Sequence, residues 1–227
     1  MTITRISKQK KRSDRYNVYI DELYSFSISA NDLLKSKISV REEVSIEELE
    51  IYKRQASKNY LLDACLNYIS SRPHSSNEVS QYIKKKIFLK PEIKEHIGEN
   101  QKEVISEILH YLQQKNYVND LEFATWLTSQ RNNGRSPKSF SHIKAELKSK
   151  GISSEIIEGI SKDINITDES AKIQSLLGKK LQQLKNRNKN IHETRKALYT
   201  HLLQKGFSWE DIQPIVDTYI EHQYNID

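Results

Sequence analysis

The chain has 227 residues, 36% apolar and 29% charged, with six Gly, four Pro and a formal net charge of +6. That length can bury a substantial core, and so few turn-formers exclude a Gly- and Pro-rich β-sandwich in favour of helices with wet outer faces. One cysteine, Cys65, excludes an internal disulfide; the start MTITRISKQKKRSDRYNVYI lacks the apolar stretch of a signal peptide, and no apolar run approaches the roughly 18 residues of a membrane span. A cytoplasmic location is expected, with Cys65 as a small buried hydrophobe among Leu61, Leu62, Tyr68 and Ile69.

Residues 1–28 carry a period of two. Tyr16, Val18 and Ile20 alternate with Arg15, Asn17 and Tyr19, and beyond DEL the residues Tyr24, Phe26 and Ile28 alternate with serines. This predicts a small β-hairpin, with Ile3 to Lys8 as a candidate third strand, placed as an appendage to the core. From Ser45 the period becomes helical. Ser45 with Glu48, and Ser75 with Glu78, are spaced as capping boxes, in which a hydroxyl and a carboxylate satisfy each other's free backbone donors. The first helix runs to Ser71, where Arg72-Pro73 stops it. The second aligns Val79, Ile83 and Ile87, and a third, near Lys102 to Lys115, aligns Ile105, Ile108 and Leu112. LKPEIKEHIGENQ, between the last two, reads as a surface loop.

The same order returns. Asp120 opens a helix with Phe123, Ala124 and Leu127; Ser136, with Pro137 at the first helical position, opens another that Gly151 closes; Ser153 opens a third. From Asp168 comes a helix through Leu177, Leu181 and Leu184, then one from Ile191 to Lys205 closed by Gly206, then one opened by Ser208. Pro214 in that last helix implies a later start or a bend. LKSKGISSEII (147–157) and LLQKGFSWEDI (202–212) are one phrase written twice, fifty-five positions apart, with Leu147 and Leu202 as equivalent core positions. The predicted class is all-α: three tandem three-helix repeats of about fifty residues sharing a core. The divisions are an N-terminal β-hairpin extension over 1–44 and repeats over 45–119, 120–166 and 167–227.

Enzymatic signatures are missing. The seven histidines never sit at metal-ligand spacing on one helix face, GENQKE and GKKLQQ lack the features of a phosphate loop, and Asp63 and Glu122 are lone helix carboxylates. No catalytic residue, metal or cofactor is expected. What stands out is basic clustering: Lys84, Lys85 and Lys86 in a row; Arg131, Arg135, Lys138, Lys144, Lys148 and Lys150 against Glu146 alone; and, over 172–205, nine basic residues against Glu193. That last group is Lys172, Lys179, Lys180, Lys185, Arg187, Lys189, Arg195, Lys196 and Lys205. Such clusters are either solvated helix faces or a surface that follows phosphates, and their recurrence in each repeat favours the second. Most aromatics sit at core spacing. Trp126 and Trp209 are the exceptions and read as core or repeat-interface residues, so binding to nucleic acid should be tolerant of sequence.

At ISSRPHSSNEVSQYI, YVNDLEFATWLTSQRNNGRSPKSFSHIKAELKSKGIS and LLQKGFSWEDI the chain resembles the RecX family, bacterial regulators of the RecA recombinase. The Tyr-x-x-Asp turn, Phe-Ala, Arg131, Gly134 and the run Glu146 to Ile152 carry the resemblance most specifically, and the N-terminus is similar to the extension of Gram-positive members. Two departures stand out: Leu121 follows Asn119-Asp120 where the family often has a second acidic residue, and QRNNGRSP is less basic than in many relatives. The resemblance implies an elongated, curved molecule of three repeats. It further implies a non-catalytic inhibitor that binds the RecA filament on single-stranded DNA and restrains recombination and the SOS response; a monomer is expected. A general helical DNA-binding protein and a pure protein scaffold are the alternative readings.

Overall fold

The computed structural model describes residues 1–10, 13–36, 38–163, 169–185 and 190–224, with side chains for all of these except 163, 185, 223 and 224. They form two compact units, Met1–Asn119 and Asp120–Asp227.

The first unit opens with an antiparallel meander, β1 (Ile3–Lys8), β2 (Arg15–Ile20) and β3 (Leu23–Ser29). Val18 pairs with Ile6 on one side and Phe26 on the other, so alternation sends Ile3, Val18, Ile20, Phe26 and Ile28 to one face. A short helix follows, α1 (Ala30–Lys35), capped by Ser29, whose Oγ accepts from the Asp32 amide at 3.1 Å. The sequence reading did not foresee α1.

Helix α2 (Ile46–Ile69) begins at the expected capping box: Ser45 Oγ accepts from the Glu48 amide, and Glu48 accepts from the Ser45 amide. Its N-terminal half completes the sheet's core, with Leu49 and Ala56 joining Ile38 and Val44 beneath the strands. The expectation of an appendage is therefore corrected: the apolar face of a three-stranded sheet needs a cover, and α2 supplies it. Arg15 fastens the two. It is 3% exposed, its Nη2 donates to the Ser27 carbonyl at 3.0 Å, and its guanidinium lies 3.7 Å from Asp63 and 5.1 Å from the Tyr60 ring.

The other half of α2 shares a second core with α3 (Ser76–Phe88), α4 (Pro91–Ile97) and α5 (Gln101–Gln114). The second capping box, Ser75 with Glu78, is also formed. Helix α4 corrects the predicted surface loop: Pro91 stands at its first turn, and Ile93 and Ile97, four apart, are both buried. Cys65 is fully buried, and burial pushes its thiol up to about 12, as suits an inert packing residue.

The second unit holds α6 (Asp120–Asn132), α7 (Phe140–Ser149) and α8 (Ser154–Asp163) around Phe123, Ala124, Leu127, Ile143, Leu147 and Ile157. It also holds α9 (Glu169–Lys185), α10 (Ile191–Leu203) and α11 (Trp209–Tyr224) around Ile173, Leu177, Leu181, Leu198, Leu202 and Ile212. Leu147 and Leu202 are both fully buried, as their shared phrase requires. One start is corrected. Ser139, not Ser136, caps α7, so Pro137 precedes the helix instead of opening it. Helix α11 begins after Ser208, whose Oγ accepts from the Asp211 amide at 3.2 Å, and runs on through Pro214.

The repeated phrase is a helix-ending device. After α7, Gly151 (φ 79°) donates to the Lys148 carbonyl and Ile152 to Leu147; after α10, Gly206 (φ 86°) donates to Leu203 and Phe207 to Leu202. These paired bonds satisfy the free carbonyls of a helix end. A third copy follows α5, with Asn116 at φ 54° donating to Gln113 and Tyr117 to Leu112. It escaped notice in the sequence because Asn replaces Gly.

Candidate nucleic-acid interface

The loop between α6 and α7 is tied to the end of α10. Ser139 caps α7 by accepting from the His142 amide at 3.2 Å, while its own Oγ–H donates to the Gly206 carbonyl at 2.6 Å and its N–H to the Lys205 carbonyl at 3.0 Å. Thus a helix N-cap satisfies two carbonyls of the turn that ends another helix. The fit admits no side chain at 206: a Cβ there would meet His142 Cβ at 2.6 Å and Ser139 Oγ at 2.8 Å. Nearby, the Phe140 amide donates to Glu169 at 2.9 Å and Lys179 Nζ donates to the Arg135 carbonyl at 3.3 Å, fastening α9 to the same loop.

This clasp gathers cations from three elements. Arg135 and Lys179 are exposed and adjacent, Lys205 adjoins the bonds from Ser139, and Lys180 lies near enough to act on His201. The His201 imidazole is held below its ordinary value by burial first, and then by the like charges of Lys180 and Lys205. His201 is in the last turn of α10, and Lys205 is in the turn that follows the helix. Spacing in sequence put His201 on no list, since only the docking of α9 brings Lys180 to it.

Other basic residues are spent on structure. Arg131 grips Glu146 with two nitrogens, Nε at 2.9 Å and Nη2 at 2.7 Å, and Lys138 Nζ adds a contact at 3.3 Å. These hold the Glu146 carboxyl down to about 2, with the Arg131 hydrogen bonds the largest cause. Lys138 also donates to His142 Nε2 at 3.0 Å, which places the imidazole proton of a neutral ring on Nδ1. Lys172, counted above among surface charges, is 7% exposed and lies 3.5 Å from Glu169. Arg195 on α10 lies 3.6 Å from Asp217 on α11.

The remaining sites divide simply. Lys144 and Lys148 are exposed one turn apart on α7, Lys150 is half-buried at its end, and Lys196 is exposed on α10. Lys84 and Lys85 are exposed on α3, and Lys86 lies 5.2 Å over the Tyr82 ring. The Lys185 side chain, Arg187 and Lys189 lie outside the described residues. Trp126 is half-buried against Phe123, whereas Trp209 is 46% exposed and stacked on Tyr199 at 4.5 Å. Among the described residues no three His, Cys, Asp or Glu side chains are grouped to hold a metal, and no helix is long and apolar enough to cross a membrane.

Comparison with known proteins agrees with this architecture. Residues 1–45 match the family model of the regulatory protein RecX N-terminal domain. The chain is 29% identical to the regulatory protein RecX of Bacillus subtilis, over 99% of this chain and 79% of that protein. It is 31% identical to that of Bacillus pumilus, over 98% and 78%. A crystal structure of regulatory protein RecX superposes with a TM-score of 0.58 at 19% identity, over 95% of this chain and 98% of that one. RecX from Lactobacillus salivarius superposes at 0.52 with 22% identity, over 71% and 96%. With helices and sheet shared and the sequence related along nearly its whole length, the chain belongs to the RecX family of regulatory proteins.

Proposed function

We propose that the protein is a non-catalytic regulator that binds the RecA filament on single-stranded DNA in the cytoplasm and restrains its ATP turnover and strand exchange. The reading rests on one observation above all: Arg135, Lys179, Lys180 and Lys205 converge around the α7–α10 clasp with His201. A polyanion gains there by releasing condensed counterions, and the partly buried backbone under the cations fixes their positions. The three-repeat division over 45–119, 120–166 and 167–227 is proposed with it, the last two repeats supplying this patch. Lys144, Lys148 and Lys196 extend the basic surface, while Arg131 and Lys138 contribute by holding Glu146. The test is the DNA-stimulated ATPase of the cognate recombinase. The wild-type chain should inhibit it, and a variant with Gln at 135, 179, 180 and 205 should inhibit markedly less. Full inhibition by that variant would remove the patch from the mechanism.

A further inference from the structure

Most phenylalanines of this chain are core, but Phe88 is not: it is 78% exposed, and Leu89 beside it is 59% exposed. Phe88 closes the outer stripe of α3. Ile83 and Ile87 take the inner face, leaving Lys84 and Lys85, four and three residues before Phe88, exposed on the same side of the last turn. The one carboxylate of α3, Glu78, is at the opposite end, where Arg72 holds it bidentately at 3.1 Å and the cap uses it as well. The stripe thus offers an exposed aromatic side chain with two exposed lysines one turn before it and no acid of its own helix beside them. Lysines alone would complement the helix end. A solvent-facing phenyl ring adds nothing to that role.

Resting on the reading above and extending it to the first unit, we propose that Phe88 is a stacking platform for an unpaired base of single-stranded nucleic acid. Lys84 and Lys85 engage the flanking phosphates. Charge complementarity selects this occupant, since an apolar peptide would bring no partner for the two ammoniums. Stacking on a ring is indifferent to base identity, so the platform accords with sequence-tolerant binding.

The experiment compares binding of the full chain to three labelled oligonucleotides by fluorescence anisotropy: a mixed-sequence single strand, an abasic strand of equal length, and the duplex. Stacking predicts that Phe88→Ala weakens binding to the single strand by at least about five-fold, leaves the abasic strand and duplex unchanged, and keeps the salt slope. Phe88→Tyr should restore affinity and Phe88→Leu should not. Equal affinity of Phe88→Ala and wild type for the single strand would overturn the platform, as would an equal loss on the abasic strand. Intact DNA binding with weakened inhibition of the recombinase would also overturn it, assigning Phe88 to a protein contact. Should wild type bind none of the three, the proposed function loses its DNA contact together with this inference; salt-dependent binding insensitive to Phe88 sinks this inference alone.

Discussion

Gly206 carries two constraints. It stands at left-handed backbone, φ 86°, where a Cβ costs about 1–2 kcal/mol, and a Cβ there would also meet His142 Cβ at 2.6 Å and Ser139 Oγ at 2.8 Å. Gly206→Ala is therefore expected to destabilise the fold in urea by more than that backbone cost, and a loss of no more than about 1–2 kcal/mol would show that the clasp yields freely. Glu146 supplies a pH signature at the same scale. Its folded carboxyl titrates near 2, below its ordinary 4.5, so the folded state binds fewer protons between those values than the unfolded chain. Its contribution is complete above about 4.5 and disappears as pH falls toward 2. In Glu146→Gln, which leaves Arg131 without its carboxylate, stability at neutral pH should fall by about 1–2 kcal/mol, and the acid-side loss should become shallower. Denaturation monitored by circular dichroism at several pH values checks both.

At the scale of elements, the N-terminal sheet is a structural part of the first unit. Removing residues 1–29 uncovers Leu49 and Ala56 on α2 and takes away Arg15, which bonds Ser27 and pairs with Asp63. The truncated chain should lose cooperative unfolding of the first unit, visible as a broadened or missing transition; an unchanged transition would restore the view of the strands as an appendage. Much of this element structure was legible. The capping boxes at Ser45 and Ser75, the buried pair Leu147 and Leu202, and the strand period of 16–28 all follow from local chemistry. What stayed hidden depends on tertiary partners. Ile93 and Ile97 give too short a periodic run to announce α4, and Ser136 offers as good a cap as Ser139 until Lys205 and Gly206 are brought to the latter. The basic clusters were legible as counts only. Which cations are free and which hold Glu146, Glu169 or Asp217 is decided by packing.

For the molecule as a whole, regulation through phosphates and regulation through protein contacts alone make different demands on salt. Cations that replace condensed counterions give log affinity a slope against log salt of about 0.7 per phosphate on single strands. The variant carrying Arg135→Gln, Lys179→Gln, Lys180→Gln and Lys205→Gln loses exposed or half-buried ammonium and guanidinium groups without touching the cores around Leu147 and Leu202, so its fold should persist. The most direct measurement is the affinity of wild type and this variant for single-stranded DNA over a range of salt. The account predicts a slope shallower in the variant by about 2–3, with little dependence on base sequence. An unchanged slope, with recombinase inhibition intact, would contradict it.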